Sequence, residues 1–307
     1  MKVYLAASNL KPESLKEITG KFPEVEFAYK EEDALDCEVI FATPTYAKEK
    51  NISKFSNVKW IQFTTAGFDT ADITYLRSRG IKLTNARDVY SIAIAEDIIT
   101  KILVLNRNVK KYVDNMKTGT WDPDFSEPEI HGSTVGVIGT GSIAVEFAKR
   151  IKSFETKVLG YRRSNKQQEF FDEIHTGTEG LDHILKSSDY VVLAVPLNED
   201  TKNLINYSKL KLMKSDALLI NIARGEVVVQ EDLIKALDEK LIRGAGLDVF
   251  VPEPLPKDNP LWKMSSVYIT PHCSASSTKF ITRLVEVLKE NLSKYIANEE
   301  LINIVRE

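Results

Sequence analysis

The stretch Thr134-Val-Gly-Val-Ile138, running into Gly139-Thr-Gly-Ser-Ile-Ala144, narrows the possible folds more than any other part of the chain. The first run is apolar and strand-like. Beyond it, Ile143, Phe147, Ile151 and Phe154 recur at helical spacing. The glycines then sit on a strand-to-helix turn, the setting in which a Gly-rich loop receives the pyrophosphate of a dinucleotide. Gly139 makes the tight turn, Gly141 admits phosphate to the backbone, and small Ala144 lets the helix pack close to the strand. The helix start at Ser142 and Ile143 offers unpaired N–H groups and a partial positive charge. The competing reading is a turn that needs glycine only for its backbone angles.

The rest of the chain repeats this rhythm. Candidate strands at 2–6, 25–29, 38–42, 58–63 and 81–85, with a helix at 13–22, suggest a parallel α/β domain. A long helical stretch, Tyr90 to Met116, leads out of it, and Pro123 and Pro128 keep the following turn-rich segment from continuing the helix. Candidate strands at 135–138, 157–161, 190–194, 217–222, 244–249 and 267–270 then form one doubly wound sheet. Val191-Val-Leu-Ala-Val195 is apolar throughout, as strands buried on both faces are. An amphipathic helix over 279–296 follows.

Composition excludes some classes. The 307 residues carry a net charge of −3, so no broad basic surface awaits nucleic acid or an acidic membrane. No apolar run reaches the ~20 residues of a membrane span, and the first residues lack the apolar core of a signal peptide. Cys37 and Cys273 read as free thiols in a reducing cytoplasm. No metal-ligand spacing stands out, so no metal is expected. His131, His175 and His183 read as surface residues.

The residue that ends the second strand of a dinucleotide fold chooses the cofactor. A carboxylate there, about 20 positions past the loop, binds the ribose hydroxyls of NAD. Here the strand ends in Arg162-Arg163-Ser164. A guanidinium suits a 2′-phosphate, being planar, permanently charged and able to bind two oxygens. NADP(H) preference is therefore expected, with NAD(H) possible.

Three further segments end candidate strands on the side where such sheets bind ligands: Asn221-Ile-Ala-Arg-Gly225, Gly246-Leu-Asp-Val-Phe-Val-Pro-Glu253 and Thr270-Pro-His272. Arg224 can clamp a carboxylate. His272 can exchange a proton near neutral pH, and Glu253 can pair with it and raise its pKa. With Gly139-Thr-Gly-Ser-Ile-Ala144 and Val195-Pro-Leu-Asn-Glu-Asp-Thr201, these motifs resemble, in order and spacing, the D-isomer-specific 2-hydroxyacid dehydrogenases. The resemblance spans nearly the whole chain.

It implies two Rossmann-like or flavodoxin-like α/β domains with parallel sheets and an active site in the interdomain cleft. The substrate domain would comprise 1–97 plus 277–307, and the dinucleotide domain 98–276. Arg224 would orient a 2-oxo acid, His272 would be the general acid/base, and Glu253 its partner. Asp248 would lie near the nicotinamide amide, Val195, Pro196, Thr201, Ile222 and Ala223 would border the cofactor, and Ala66-Gly67 would offer N–H groups to the substrate carboxylate. A homodimer through the cofactor domain and the 90–116 helix is also implied. Two departures bear on backbone contacts: Glu155 stands where the family often has glycine, and Cys273-Ser-Ala-Ser276 replaces a glycine-containing run. Arg162-Arg163-Ser164 resembles the branch that reduces glyoxylate and hydroxypyruvate with NADPH. The alternatives are an NAD-dependent enzyme of D-lactate or phosphoglycerate type and a dinucleotide-sensing regulator of the same fold.

Overall fold

Five short apolar runs form the first sheet in the computed structural model, which describes residues 1–6, 10 and 12–305. They are β1 (Lys2–Leu5), β2 (Glu26–Ala28), β3 (Val39–Ala42), β4 (Trp60–Phe63) and β5 (Lys82–Thr84), all parallel, in the order β2-β1-β3-β4-β5. Helices α1 (Pro12–Lys21), α2 (Glu49–Ile52) and α3 (Ile73–Ser78) connect them. This is the doubly wound order of flavodoxin-like sheets. β3 and β4 are buried at every position; β3 is apolar throughout, and the one polar residue of β4, Gln62, is paired with Thr84 and Asn291.

This unit, Met1–Tyr90 with Ser277–Glu307, is built from both ends of the sequence. The helix Phe280–Ile296 buries Leu284, Val285, Leu288 and Leu292 in the same core as Val3, Phe41 and Trp60. Tyr295 stacks on Trp60 at 5.1 Å between ring centroids. Asn291 donates to Gln62 Oε1 at 2.7 Å and receives Ile302 N–H at 2.8 Å, so no amide in that core goes unpaired at this point. Beyond the helix, Val305 N–H donates to Leu83 O at 2.9 Å and Ile304 bridges Thr84 antiparallel. The open edge of β5 is thereby covered.

The second unit spans Ser91–Ser276. It contains α4 (Ser91–Asn106), α5 (Val109–Thr118), β6 (Thr134–Ile138), α6 (Ser142–Ile151), β7 (Lys157–Tyr161), β8 (Glu173–His175), α7 (Gly177–Ser187), β9 (Tyr190–Leu193), α8 (Tyr207–Leu210), β10 (Leu218–Asn221), α9 (Gln230–Asp238), β11 (Gly244–Leu247) and β12 (Val267–Ile269). The seven strands are parallel, in the order β12-β11-β10-β9-β6-β7-β8. Chain direction across the sheet reverses between β6 and β9, the switch point where such folds bind ligands.

Three expectations change. The helical stretch over 90–116 is two helices, because Asn108 adopts a left-handed φ of 45° and its side chain turns to Asp124 at 3.0 Å. The units divide between Tyr90 and Ser91 rather than at 97–98, since α4 packs along α6 and against β11 and β12 and so goes whole with the second unit. The sheet also has a strand more than the sequence suggested: β8, three residues long and polar, pairs with β7 at the edge.

Candidate active site

The Gly-rich loop has the shape a pyrophosphate needs. Gly139 has φ +98°, and a Cβ there would overlap the Ala194 carbonyl oxygen, so only glycine makes this turn. Gly141 caps α6 with extended backbone and has nothing within 4 Å of where a Cβ would stand. That open approach lies at the first turn of a ten-residue helix, where the N–H groups of Ser142 and Ile143 precede the helical ladder. Ala144 is buried, as close packing of helix on strand demands. Ser142 Oγ is engaged by the Ser91 hydroxyl at 3.0 Å.

The turn after β7 holds Arg162, Arg163 and Ser164. Arg162 N–H donates to His175 O at 3.1 Å, and its Nη1 rests on Lys166 O at 3.1 Å. Arg163 and Ser164 are exposed. No carboxylate occupies the strand end. After β9, Val195 is half-buried and Pro196 exposed. The Thr201 hydroxyl donates to Pro196 O at 2.6 Å and accepts Asn198 N–H at 2.9 Å, which braces the loop after β9.

The acid–base residues follow adjacent strands. Asn221, Leu247 and Ile269 are in register across β10, β11 and β12. Neighbouring strands lie about 4.8 Å apart, so Arg224, Asp248 and His272 leave the sheet from the same edge. Ile222 and Ala223 are buried behind Arg224. Asn221 fixes the Arg224 turn, donating to Arg224 O and accepting Ala223 N–H, both at 3.0 Å. Arg224 Nη1 donates to Ala223 O at 2.7 Å.

His272 is set from several directions. Its backbone has φ +50°, and its N–H donates to Asp248 O at 2.8 Å. Its Nδ1 lies 2.7 Å from Glu253 Oε2, and Glu253 Oε1 accepts Phe250 N–H at 3.0 Å. Half the imidazole surface remains open. A left-handed backbone at a histidine is uncommon and is held only where its surroundings over-determine it.

Asp248 supplies that determination. It is 2% exposed, and its Oδ1 accepts Cys273 N–H at 2.9 Å and the Thr270 hydroxyl at 2.6 Å. Ser274 N–H completes the shell at 3.1 Å. Thr270 Oγ1 in turn receives Lys101 Nζ at 2.8 Å, and Lys101 also pairs with Asp97 one turn back on α4. Lys101 is wholly buried. Stripping such a buried charge of its partner costs about 3–5 kcal/mol, so this chain of contacts ties α4 firmly to the loop carrying His272. Lys101 and Asp97 escaped the sequence analysis because a lone lysine in a helix reads as surface. The Ser274 hydroxyl, buried beside this loop, has no partner among the described residues. Burial, then the Asp248 charge, push the Cys273 thiol above its ordinary pKa. It stays protonated at neutral pH, which fits a chemistry without a covalent intermediate.

In the first unit, Ala66 and Gly67 lie in the loop after β4. Its carbonyls are engaged: Asn85 donates to Ala66 O and the Thr65 hydroxyl to Gly67 O, both at 2.8 Å. The N–H groups of Ala66 and Gly67 have no acceptor among the described residues. No described helix is long and apolar enough to cross a membrane.

A doubly wound sheet with this glycine turn and an imidazole–carboxylate pair at its carboxyl edge defines a nicotinamide-dinucleotide oxidoreductase. Residues 99–274 match the family described as D-isomer specific 2-hydroxyacid dehydrogenase, NAD binding domain. Glyoxylate reductase of Thermofilum pendens is 37% identical over 280 residues, 87% of this chain and 77% of that protein. An acyclic imino acid reductase solved with NADPH and D-Arg superposes with a TM-score of 0.84 at 27% identity, covering 100% of both chains. The D-lactate dehydrogenase of Aquifex aeolicus, solved with NAD and lactic acid, gives 0.79 at 26% identity over 99% of both. The chain belongs to the D-isomer-specific 2-hydroxyacid dehydrogenase family. It is an NAD(P)-dependent enzyme acting on small 2-oxo or 2-hydroxy acids.

Proposed function

We propose that this enzyme reduces glyoxylate, hydroxypyruvate or a similarly small 2-oxo acid to the D-2-hydroxy acid, with NADPH as the preferred reductant. The hydrogen bond of 2.7 Å between His272 Nδ1 and Glu253 carries the reading. With Nδ1 turned to the carboxylate, Nε2 is the nitrogen left to give a proton to a carbonyl oxygen. Glu253 is itself fixed by Phe250 N–H, so the imidazole keeps one orientation as it protonates and deprotonates. Arg224 holds the substrate carboxylate and polarises the neighbouring carbonyl. Ala66 and Gly67 offer their N–H groups to a carboxylate oxygen. When bound, the nicotinamide supplies the hydride to the carbonyl carbon. Gly139, Gly141, Ser142 and Ile143 receive its pyrophosphate, and Val195, Pro196, Ile222, Ala223 and Asp248 border the ring end. Steady-state oxidation of NADPH against a panel of 2-oxo acids tests the substrate class. Turnover confined to bulky branched or aromatic acids would refute it.

The turn at 162–164 supports the choice of NADPH, since two guanidinium-bearing residues and a hydroxyl stand where NAD enzymes place a carboxylate. One charged hydrogen-bonding contact contributes about 1.5–3 kcal/mol, or roughly 10- to 150-fold in affinity. The double variant Arg162→Ala/Arg163→Ala is expected to lose that much in kcat/KM with NADPH while its rate with NADH stays within a few-fold. Equal use of both cofactors by the wild type would overturn the preference.

Trp121 and Phe125 are 96% and 94% exposed, and Met116 just before them is 81% exposed. Side chains this apolar, so close together and so fully in water, mark an association surface. The reading is a homodimer formed through this arm. Light scattering is expected to give twice the chain mass, and Trp121→Asp/Phe125→Asp the mass of one chain. A monomeric wild type refutes it. The two free thiols, Cys37 and Cys273, fit a reducing cytoplasm.

A further inference from the structure

At the opposite edge of the second sheet, three ligand-bearing side chains come together that the reaction does not use. Glu173 and His175 are two residues apart on β8 and so share one face of the strand. His183 stands on α7. One donor atom from each lies within 4.8 Å of the other two. The two imidazole rings are 4.7 Å apart between centroids and tilted by 35°. Glu173 Oε2 is 3.0 Å from His175 Nε2.

The helix and strand are shaped for this approach. Gly180 lies one turn before His183 and packs directly on His175. A Cβ at Gly180 would stand 3.0 Å from the His175 Cβ, tighter than ordinary contact. The absent side chain lets α7 press onto β8 and holds the His183 ring over that of His175. β8 is the edge strand, and His183 is exposed, so an ion has a way in from water. Lys157 takes the other oxygen of Glu173, Oε1, at 2.6 Å. That leaves Oε2 as a single-oxygen ligand and, by like charge, limits the affinity.

We propose that Glu173, His175 and His183 bind a divalent transition-metal ion of the zinc class, through two imidazole nitrogens and one carboxylate oxygen. Neutral imidazoles with one carboxylate suit Zn2+ and its borderline neighbours rather than Mg2+ or Ca2+, which seek oxygen-only shells. Three protein ligands leave the remaining coordination to water. The site adjoins the cofactor turn, since Arg162 N–H donates to His175 O at 3.1 Å.

The test uses untagged full-length protein freed of metal by a chelator. Calorimetric titration with ZnCl2 is expected to give one ion per chain, and CoCl2 a visible d–d absorption typical of nitrogen ligation. His183→Ala, which alters an exposed side chain, is expected to keep the wild-type circular dichroism, lose at least ten-fold in Zn2+ affinity and lose the Co2+ band. Glu173→Gln is expected to weaken binding in the same direction. Absence of Zn2+ binding by the wild type, or equal binding by His183→Ala, overturns the site. Neither result depends on turnover.

Discussion

Replacing His272 by alanine is expected to lower kcat for 2-oxo acid reduction by about 10²- to 10⁴-fold, the range that a positioned proton donor contributes. The reason lies in geometry: Nδ1 is committed to Glu253 at 2.7 Å, and the backbone at φ +50° is pinned by Asp248, so the imidazole is the group held in place to give the proton. Reduction draws a proton from the imidazole, which alanine cannot supply. Binding of NADPH, followed by its fluorescence, is expected to stay within a few-fold, because His272 is half exposed and buttresses no part of the core. Near-normal turnover in the variant would remove His272 from its role.

Arg224→Ala is expected to cost about 10²- to 10⁴-fold in kcat/KM for the oxo acid. Two charge-assisted contacts to a carboxylate, each of about 1.5–3 kcal/mol, add to that range at about 1.4 kcal/mol per tenfold. Both kcat and KM should suffer, since the guanidinium orients the substrate and polarises its carbonyl. Arg224→Lys should recover only part of the loss, because an ammonium does not offer two parallel N–H groups. The turn that aims the side chain is held by Asn221 through its own backbone partners, so the truncation should leave the fold intact. An Arg224→Ala enzyme with unchanged kcat/KM and normal stability would refute the assignment.

Much of this arrangement was legible in the sequence for identifiable reasons. Val191-Val-Leu and the 217–222 run are buried on both faces, and such strands announce themselves by unbroken apolarity. Arg224, Glu253 and His272 sit in short motifs past such strands, on the side where these sheets bind ligands. β8 was not legible because it is an edge strand of three residues, one of them a histidine and one a glutamate. The division of the 90–116 stretch hangs on one left-handed residue, Asn108, whose neighbours keep helical spacing on both sides. Thr201 ends a familiar motif, but the bond of its hydroxyl to Pro196 O within its own loop is not encoded by any spacing along the chain. Lys101 and the Glu173–His175–His183 group were hidden for a common reason. Their meaning comes from partners on other elements, and no spacing along the chain encodes a helix laid across a strand.

The helix Phe280–Ile296 and the 304–305 edge contact complete a sheet that begins at Lys2. In translation order, the whole of 91–276 is made between the two halves of that core. The dinucleotide unit has all its strands in hand before residue 277 emerges and can close early on its own. The apolar face of β1, β3 and β4, covered only in part by Ile18 of α1 and by Phe22 just after it, must wait for its second helix, made nearly two hundred residues later. Apolar surface left exposed in this interval is prone to aggregate. Truncation just short of the terminal helix should therefore leave an active nucleotide-binding unit attached to an aggregating one.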